Sequence, residues 1–298
     1  MKIKMIGLGK MGLNLALNMH EHQIEVEGFD VNEETRKNAE INNIRTYSSL
    51  EDIVSNSEQN IIWVMLPAGK ITNLVLNNLS NLCNKNDIVI DGGNSDWRDS
   101  LKTSKLMVEK GIYFFDIGTS GGVYGARHGA SFMCGGDKEI FDQYLKGALE
   151  SIATVNGCLY TGVTGSGHYL KMIHNAMLYG YMQTLGEGFE LLEKSEFNYN
   201  LQEVAESLSK SSVIRGWLLE LCANAFSKDP HLESIEGVVG GSKTTVWTIE
   251  SACDLGVPIP VISSSLMMRL RSKQSESFSA KVIASLRDEV GGHKPKSK

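Results

Sequence analysis

The segment Gly165–Gln183 reads GSGHYLKMIHNAMLYGYMQ. On a helix, Lys171 and Asn175 are four residues apart and share a face, and His174 lies beside them. Lys171 stands among apolar neighbours, Leu170, Met172 and Ile173. Burial there disfavours the charged amine, and a neutral amine is a base. A lone lysine on a helix is usually surface decoration. A Lys-x-x-His-Asn set behind a Gly-x-Gly entry is instead a candidate for proton transfer.

A second constellation opens the chain. Gly7-Leu8-Gly9-Lys10-Met11-Gly12 is a G-x-G-x-x-G that follows an apolar run and precedes a helical pattern. In that context Gly7 permits a tight turn, Gly9 lets the backbone approach a pyrophosphate, and Gly12 lets the helix pack closely. The helix N-terminus then offers N–H groups to phosphate. Asp30 ends the next apolar run, where a carboxylate accepts hydrogen bonds from both adenosine-ribose hydroxyls and repels a 2′-phosphate. The expected cofactor is therefore NAD rather than NADP, with Arg36 a nearby cation pulling the other way. Leu66-Pro67-Ala68-Gly69 and Asp91-Gly92-Gly93-Asn94-Ser95 each follow a further apolar run, at the carboxyl ends where open α/β sheets bind ligands. Asn94 suits either the nicotinamide or a substrate hydroxyl, although Asp-Gly-Gly-Asn is also good turn chemistry. In Gly118-Thr119-Ser120-Gly121-Gly122, paired glycines expose N–H groups to a carboxylate or hydroxyls.

These groups need a scaffold. Ile3–Ile6, Glu25–Phe29, Ile61–Leu66, Ile88–Ile90 and Tyr113–Asp116 read as buried parallel strands, rich in Ile and Val. Ser131–Cys134 and Cys158–Thr161 add more. Helical patterns such as Lys10–His20 and Ser100–Lys110 lie between them. The alternation predicts an α/β fold, a doubly wound parallel Rossmann-type sheet over 1–163. From 164 to 290 the pattern is helical almost throughout. A long stretch runs to about Lys194, followed by Leu201–Ser209, Val213–Phe226, Val246–Asp254, Val261–Arg271 and Ser279–Leu286. An all-helical C-terminal domain follows, with a polar tail over 291–298.

The bulk composition excludes several classes. The chain has 298 residues, 42% hydrophobic and 21% charged, with a net charge of −6. That balance disfavours nucleic acid, whose binding relies on many Lys and Arg contacts to phosphate. No run approaches the length of a membrane span. The N-terminus enters a glycine loop before any apolar stretch long enough for a signal peptide. Five scattered cysteines, an odd number without CxxC spacing, read as reduced thiols. The expected location is the cytoplasm, and no metal site is expected.

Taken together, GLGKMG, VMLPAG, IDGGNS, GTSGGVYGARHGASFMCGGD, GSGHYLKMIHN and the late DLGVPIPVI resemble 6-phosphogluconate dehydrogenase in its shorter, NAD-preferring form, within the β-hydroxyacid dehydrogenase superfamily. The resemblance spans nearly the whole chain. It implies oxidation of the C3 hydroxyl of 6-phosphogluconate with Lys171 as base, then loss of CO2 to a ribulose product. It assigns substrate contacts to Asn94, Ser120, Gly121, Gly122, His174 and Asn175, and the phosphate to Tyr179, Thr244 and Arg269, with Ser242 and Lys243 of this chain lining the same anionic end. His293 matches the tail residue that reaches a neighbouring subunit, which implies a homodimer or homotetramer.

Two positions depart from the pattern. The family helix carries a glutamate, the acid of the enediol step, where this chain has Leu178. Leu178 is seven residues after Lys171 and so on the same face. Leucine transfers no proton, leaving Tyr181 or water as the donor. The family's Asp-Ser-Gly-Glu-Gly-Arg-Trp-Thr stands here as Gly241-Ser242-Lys243-Thr244-Thr245-Val246-Trp247-Thr248. Such a hydroxyl-rich pocket suits phosphate and also a sulfonate, as in 6-deoxy-6-sulfogluconate. Two other readings stay open: a β-hydroxyacid dehydrogenase that does not decarboxylate, and a non-catalytic NAD-binding protein.

Overall fold

The computed structural model describes residues 1–54, 59–240 and 243–296. The chain forms two compact units, Met1–Asn175 and Ala176–Lys298.

The first unit is built on eight strands: β1 Lys2–Ile6, β2 Glu25–Phe29, β3 Arg45–Tyr47, β4 Ile61–Val64, β5 Ile88–Asp91, β6 Tyr113–Ser120, β7 Ala130–Gly135 and β8 Ala153–Gly162. Their order in the sheet is β3-β2-β1-β4-β5-β6-β7-β8. The order reverses between β1 and β4, the switch point at which doubly wound sheets bind dinucleotides. The helices are α1 Lys10–Glu21, α2 Glu33–Ile41, α3 Leu50–Val54, α4 Lys70–Leu82, α5 Trp97–Glu109, α6 Gly122–His128, α7 Lys138–Ile140 and α8 Lys146–Ile152, with a π-helical turn over Phe141–Leu145.

Strand residues alternate between two cores, as the period of two requires. Ile3, Met5, Ile61, Trp63, Ile88, Ile90, Phe115 and Ile117 pack on one face. Ile6, Ile62, Val64, Val89 and Phe114 pack on the other. Helices thus cover both sides, which is why these strands read as nearly continuous apolar runs.

The sheet corrects one expectation: it is not wholly parallel. β7 runs antiparallel to β6, Asp116 pairing with Gly135 and Ser120 with Ser131. The reversal follows from the short α6 connection, since a parallel crossover needs a dozen or more residues. β3 was not foreseen; it has three residues, none of them buried. The strand expected at Cys158–Thr161 is the end of a longer one, Ala153–Gly162.

α9, Ser166–Glu193, is 28 residues long and belongs to both units. The second unit continues with α10 Leu201–Ser211, α11 Trp217–Lys228, α12 Lys243–Leu255, α13 Pro260–Ser272 and α14 Phe278–Gly291. Its described residues form no strand. A core of Leu185, Phe189, Leu201, Ala205, Leu219, Ala223 and Phe226 joins α9, α10 and α11. α11 starts at Trp217 rather than Val213, because extended Gly216 interrupts the helical run before it. α14 extends to Gly291 and is closed by left-handed Gly292, so the polar tail is shorter than expected. Among the described residues no helix is long and apolar enough to cross a membrane. All five cysteines are free thiols.

Candidate active site

The chemistry-bearing residues of the first unit meet where β6 lies against the start of α9. On β6, Asp116, Gly118 and Ser120 point to one face, as alternate residues do. On α9, His168, Lys171 and Asn175 are buried and His174 is half-buried. The two rows contact in register. Asp116 Oδ1 accepts from the Gly165 N–H at 2.7 Å, and Oδ2 accepts from the His168 N–H at 2.7 Å. Gly118 faces Lys171: a Cβ built on the glycine would lie 2.4 Å from Lys171 Cβ. Ser120 Oγ lies 3.3 Å from His174 Nε2. Gly167 brings the helix down onto the sheet, because a Cβ there would lie 2.2 Å from the Asp116 carbonyl oxygen.

Lys171 is only 6% exposed. Among the described residues its amine has no hydrogen-bond or ion-pair partner. Burial alone lowers its pKa from the usual lysine value to about 8. His174 is pushed down too, first by burial and then by the neighbouring Lys171 charge, against a hydrogen bond to Asn175 that raises it. Its Nδ1 lies 3.2 Å from Asn175 Oδ1, so Nδ1 is the donor and Nε2 keeps a lone pair for the Ser120 hydroxyl. The site therefore presents a polarised hydroxyl, a neutral imidazole, an amide and an amine that titrates near neutral pH.

The glycine loop fits a dinucleotide. Gly7 has φ of +94°, and a Cβ there would lie 2.5 Å from the Met65 carbonyl oxygen. A Cβ on Gly12 would lie 1.9 Å from the Gly7 carbonyl oxygen, so α1 packs hard against the turn. A Cβ on Gly9 would meet nothing within 4 Å; there the backbone faces open space that a pyrophosphate can fill. Asp30 Oδ2 accepts the Leu8 N–H at 2.9 Å and Oδ1 accepts the Asn32 N–H at 2.9 Å, which fixes the carboxylate beside the loop. Arg36 is turned to the backbone, donating to the Asp30 carbonyl at 2.7 Å.

Other expected cofactor residues divide by exposure. Leu8 is buried and its N–H is taken by Asp30, while Lys10 is exposed at the start of α1. Met11 and Leu66 are partly buried against the two cores. Pro67 and Asn94 are exposed and Ala68 half-buried in the loops after β4 and β5. Gly121 and Gly122, both at positive φ, turn the chain from β6 into α6.

In the second unit, Arg269 lies 3.9 Å above the Tyr179 ring and donates to the Gly240 carbonyl at 2.7 Å. Thr244 is buried in the first turn of α12, which begins at exposed Lys243. Ser242 lies outside the described residues. His293 is exposed just beyond α14. Tyr181 does not stand ready as an acid, because its hydroxyl donates to the Ile214 carbonyl at 2.8 Å. Leu178 is half-buried and holds no titratable group. Among the described residues no cluster of His, Cys, Asp or Glu is arranged to hold a metal.

Sequence reasoning missed Asp116 and His168, and it gave Gly118 and Gly167 no role in seating α9 on β6. The alternation of Asp116, Gly118 and Ser120 on one strand face is the signal that could have grouped the strand residues.

Residues 2–165 match the NAD binding domain of 6-phosphogluconate dehydrogenase. Residues 167–294 match the 6-phosphogluconate dehydrogenase C-terminal domain. YqeC of Bacillus subtilis, whose 6-phosphogluconate dehydrogenase name is provisional, is 44% identical over 304 residues and covers 100% of both chains. The NAD(+)-dependent, decarboxylating 6-phosphogluconate dehydrogenase of Haloferax volcanii is 36% identical, covering 98% of each. Among solved structures, Plasmodium falciparum 6-phosphogluconate dehydrogenase aligns with a TM-score of 0.83 at 30% identity, over 98% of this chain and 65% of that one. A Mycobacterium tuberculosis 3-hydroxyisobutyrate dehydrogenase aligns at 0.74 with 21% identity, over 96% and 99% of the two chains, a likeness of fold alone. Both family domains, in order and over nearly the full length, place this chain in the 6-phosphogluconate dehydrogenase family, a family of oxidoreductases with an NAD-binding domain.

Proposed function

We propose that the protein catalyses NAD-linked oxidative decarboxylation of a gluconate bearing an anion at C6, 6-phosphogluconate first among them. The observation that carries the reading is Lys171: a buried amine with a pKa of about 8, beside the Ser120–His174–Asn175 chain. Gly7, Gly9 and Gly12 would hold the pyrophosphate and Asp30 the adenosine ribose, with Leu66, Pro67, Ala68 and Asn94 along the crevice. Bound NAD would supply the hydride acceptor.

The protein's own part is proton traffic and orientation. Neutral Lys171 Nζ takes the proton of the C3 hydroxyl while the C3 hydrogen leaves as hydride. The resulting ammonium donates to the new C3 carbonyl oxygen. The C1–C2 bond then breaks, its electron pair passing into the polarised carbonyl, and CO2 leaves. A proton delivered to the former C2 of the enediol, which becomes C1 of the product, completes the ribulose derivative. Ser120, His174 and Asn175 fix the sugar hydroxyls and carboxylate. The Arg269–Tyr179 pair with Lys243 and Thr244 would hold the C6 anion. His293 would complete the site of a second copy in a homodimer or homotetramer. A reducing compartment, the cytoplasm, suits the five free thiols.

Leu178 favours a second reading, a β-hydroxyacid dehydrogenase without decarboxylation, because the enediol step lacks a carboxyl acid on that helix face. The two separate on stoichiometry. With 6-phosphogluconate and NAD, one CO2 per NADH and a ribulose 5-phosphate product are expected. NADH without CO2 establishes the second reading. No NADH from 6-phosphogluconate, but turnover of a C6-sulfonate, would move the substrate while keeping the reaction.

A further inference from the structure

We infer that Asp116 is a positioning residue, a carboxylate that sets the register of α9 on β6 and so holds Lys171 in place. The inference rests on the proposed role of Lys171. Asp116 is wholly buried. Both its oxygens are committed, at 2.7 Å each, to N–H groups of the residue before α9 and of its first turn, Gly165 and His168. Those N–H groups have no partner within the helix. A carboxylate from a strand thus does what a local cap does elsewhere, and it faces the positive end of a helix dipole 28 residues long.

No basic side chain is paired with it among the described residues; its titratable neighbours are His168 and Cys134. Burial pushes the Asp116 carboxyl up, and the His168 charge and the two backbone donors hold it back. A buried acid in an apolar core costs stability unless its hydrogen bonds are complete. It is placed where an apolar side chain could not fix the helix along its axis or about it.

The other contacts show why axial fixing matters. Lys171 follows His168 by three residues, so one helical turn separates the clamp from the amine. Gly118, two residues beyond Asp116 on the same strand face, touches the Lys171 stem. Ser120, two further, meets His174 at 3.3 Å. A helix that slipped or rotated at its first turn would spoil both contacts. Two further anchors hold the first turn. Ser100 of α5 lies 2.8 Å from His168 Nδ1, and Thr161 of β8 lies 2.7 Å from Ser166 Oγ. Neither reaches a backbone N–H of α9, so neither replaces the carboxylate.

The test is Asp116→Asn, nearly isosteric, whose NH2 group would face one of the two N–H donors. Lys171 reactivity toward an amine-acylating reagent is followed against pH by peptide mass mapping; its titratable neighbour is His174, whose pKa burial and the Lys171 charge hold down. In the parent protein the expected midpoint is about 8. In the variant it moves toward the ordinary lysine range as the amine gains water, and kcat falls about a hundredfold, as for a 1 Å misplacement, while NAD affinity holds. Should Asp116→Asn not accumulate as folded protein, Asp116→Ser, smaller and with one acceptor oxygen, gives the same readout. An unchanged midpoint with only a lower Tm overturns the inference. A shifted midpoint in a protein that turns over no sugar acid leaves Asp116 in its role and removes the proposed function.

Discussion

The Cα of Gly118 lies so close to the stem of Lys171 that a Cβ on the glycine would sit 2.4 Å from the lysine Cβ and 2.8 Å from its Cγ. Both partners are fixed: the strand by its ladder to β5 and β7, the helix by its own hydrogen bonds. Gly118→Ala therefore has no flexible end to push aside. Relief requires the strand and helix to part. Overpacking of this kind costs about 1–3 kcal/mol. The displaced amine should lower kcat about a hundredfold, and NAD affinity should hold, since the Gly7 loop is untouched. Steady-state kinetics with fluorescence titration of NAD would check the split; an equal loss of both would show general unfolding instead.

Lys171 gives a prediction with a definite sign. Its folded pKa of about 8 lies below the ordinary lysine value of 10.5, so the folded protein binds its proton less well than the unfolded chain. The cost of burying the charge is full below pH 8 and fades as pH rises from 8 through 10.5. It is roughly 3 kcal/mol by the linkage conversion. Lys171→Met, apolar and of similar length, should thus raise the Tm at pH 7, by an amount that shrinks above pH 8. The same variant should lose about 10²–10⁴ in turnover. In the parent enzyme kcat/KM should climb through a limb near pH 8, because the free enzyme must present the neutral amine. A limb far below that would assign the base elsewhere.

Local patterns and tertiary contacts divide what the sequence could reveal here. The Gly7–Gly12 turn is a contiguous stretch whose spacing carries its own meaning, and it was legible. So was Lys171, a charge set into an apolar helical pattern. The Asp116 clamp was not, since its partners are 49 and 52 residues away along the chain. Nothing in the local pattern of Tyr113–Ser120 distinguishes a strand aspartate that caps a helix from one at a strand end. The direction of β7 was also hidden, because alternation of side chains is the same in parallel and antiparallel ladders. Tyr181 shows another thing that spacing does not carry: its hydroxyl donates to the Ile214 carbonyl, a partner 33 residues away along the chain.

Asp30 has two tasks that one variant can separate. Its carboxylate accepts the Leu8 and Asn32 N–H groups, and in the proposed function its remaining lone pairs serve the adenosine ribose. Asp30→Ala loses the ribose contacts, each charge-assisted hydrogen bond being worth about 1.5–3 kcal/mol. NAD affinity should fall at least about tenfold. NADP should lose less, because the repulsion of its 2′-phosphate is removed in the same step. Titration with both nucleotides decides the matter. Equal losses would mean that Asp30 acts only by ordering the glycine loop.

Leu178 offers the most direct probe of substrate. It lies seven residues beyond Lys171 on α9, half-buried, where the family pattern carries the acid of the enediol step. General acid help is typically worth about 10²–10⁴ in rate. If 6-phosphogluconate is the native substrate and water now supplies that proton, Leu178→Glu should raise kcat on it by about tenfold or more. The NADH-to-CO2 ratio should stay at one, because the enediol forms only after CO2 has left. If kcat is unchanged or falls, the enediol proton is not limiting and the leucine is matched to another sugar acid. Repeating the assay with C6-sulfonate and C6-phosphate substrates would then show which anion the Leu178 site serves.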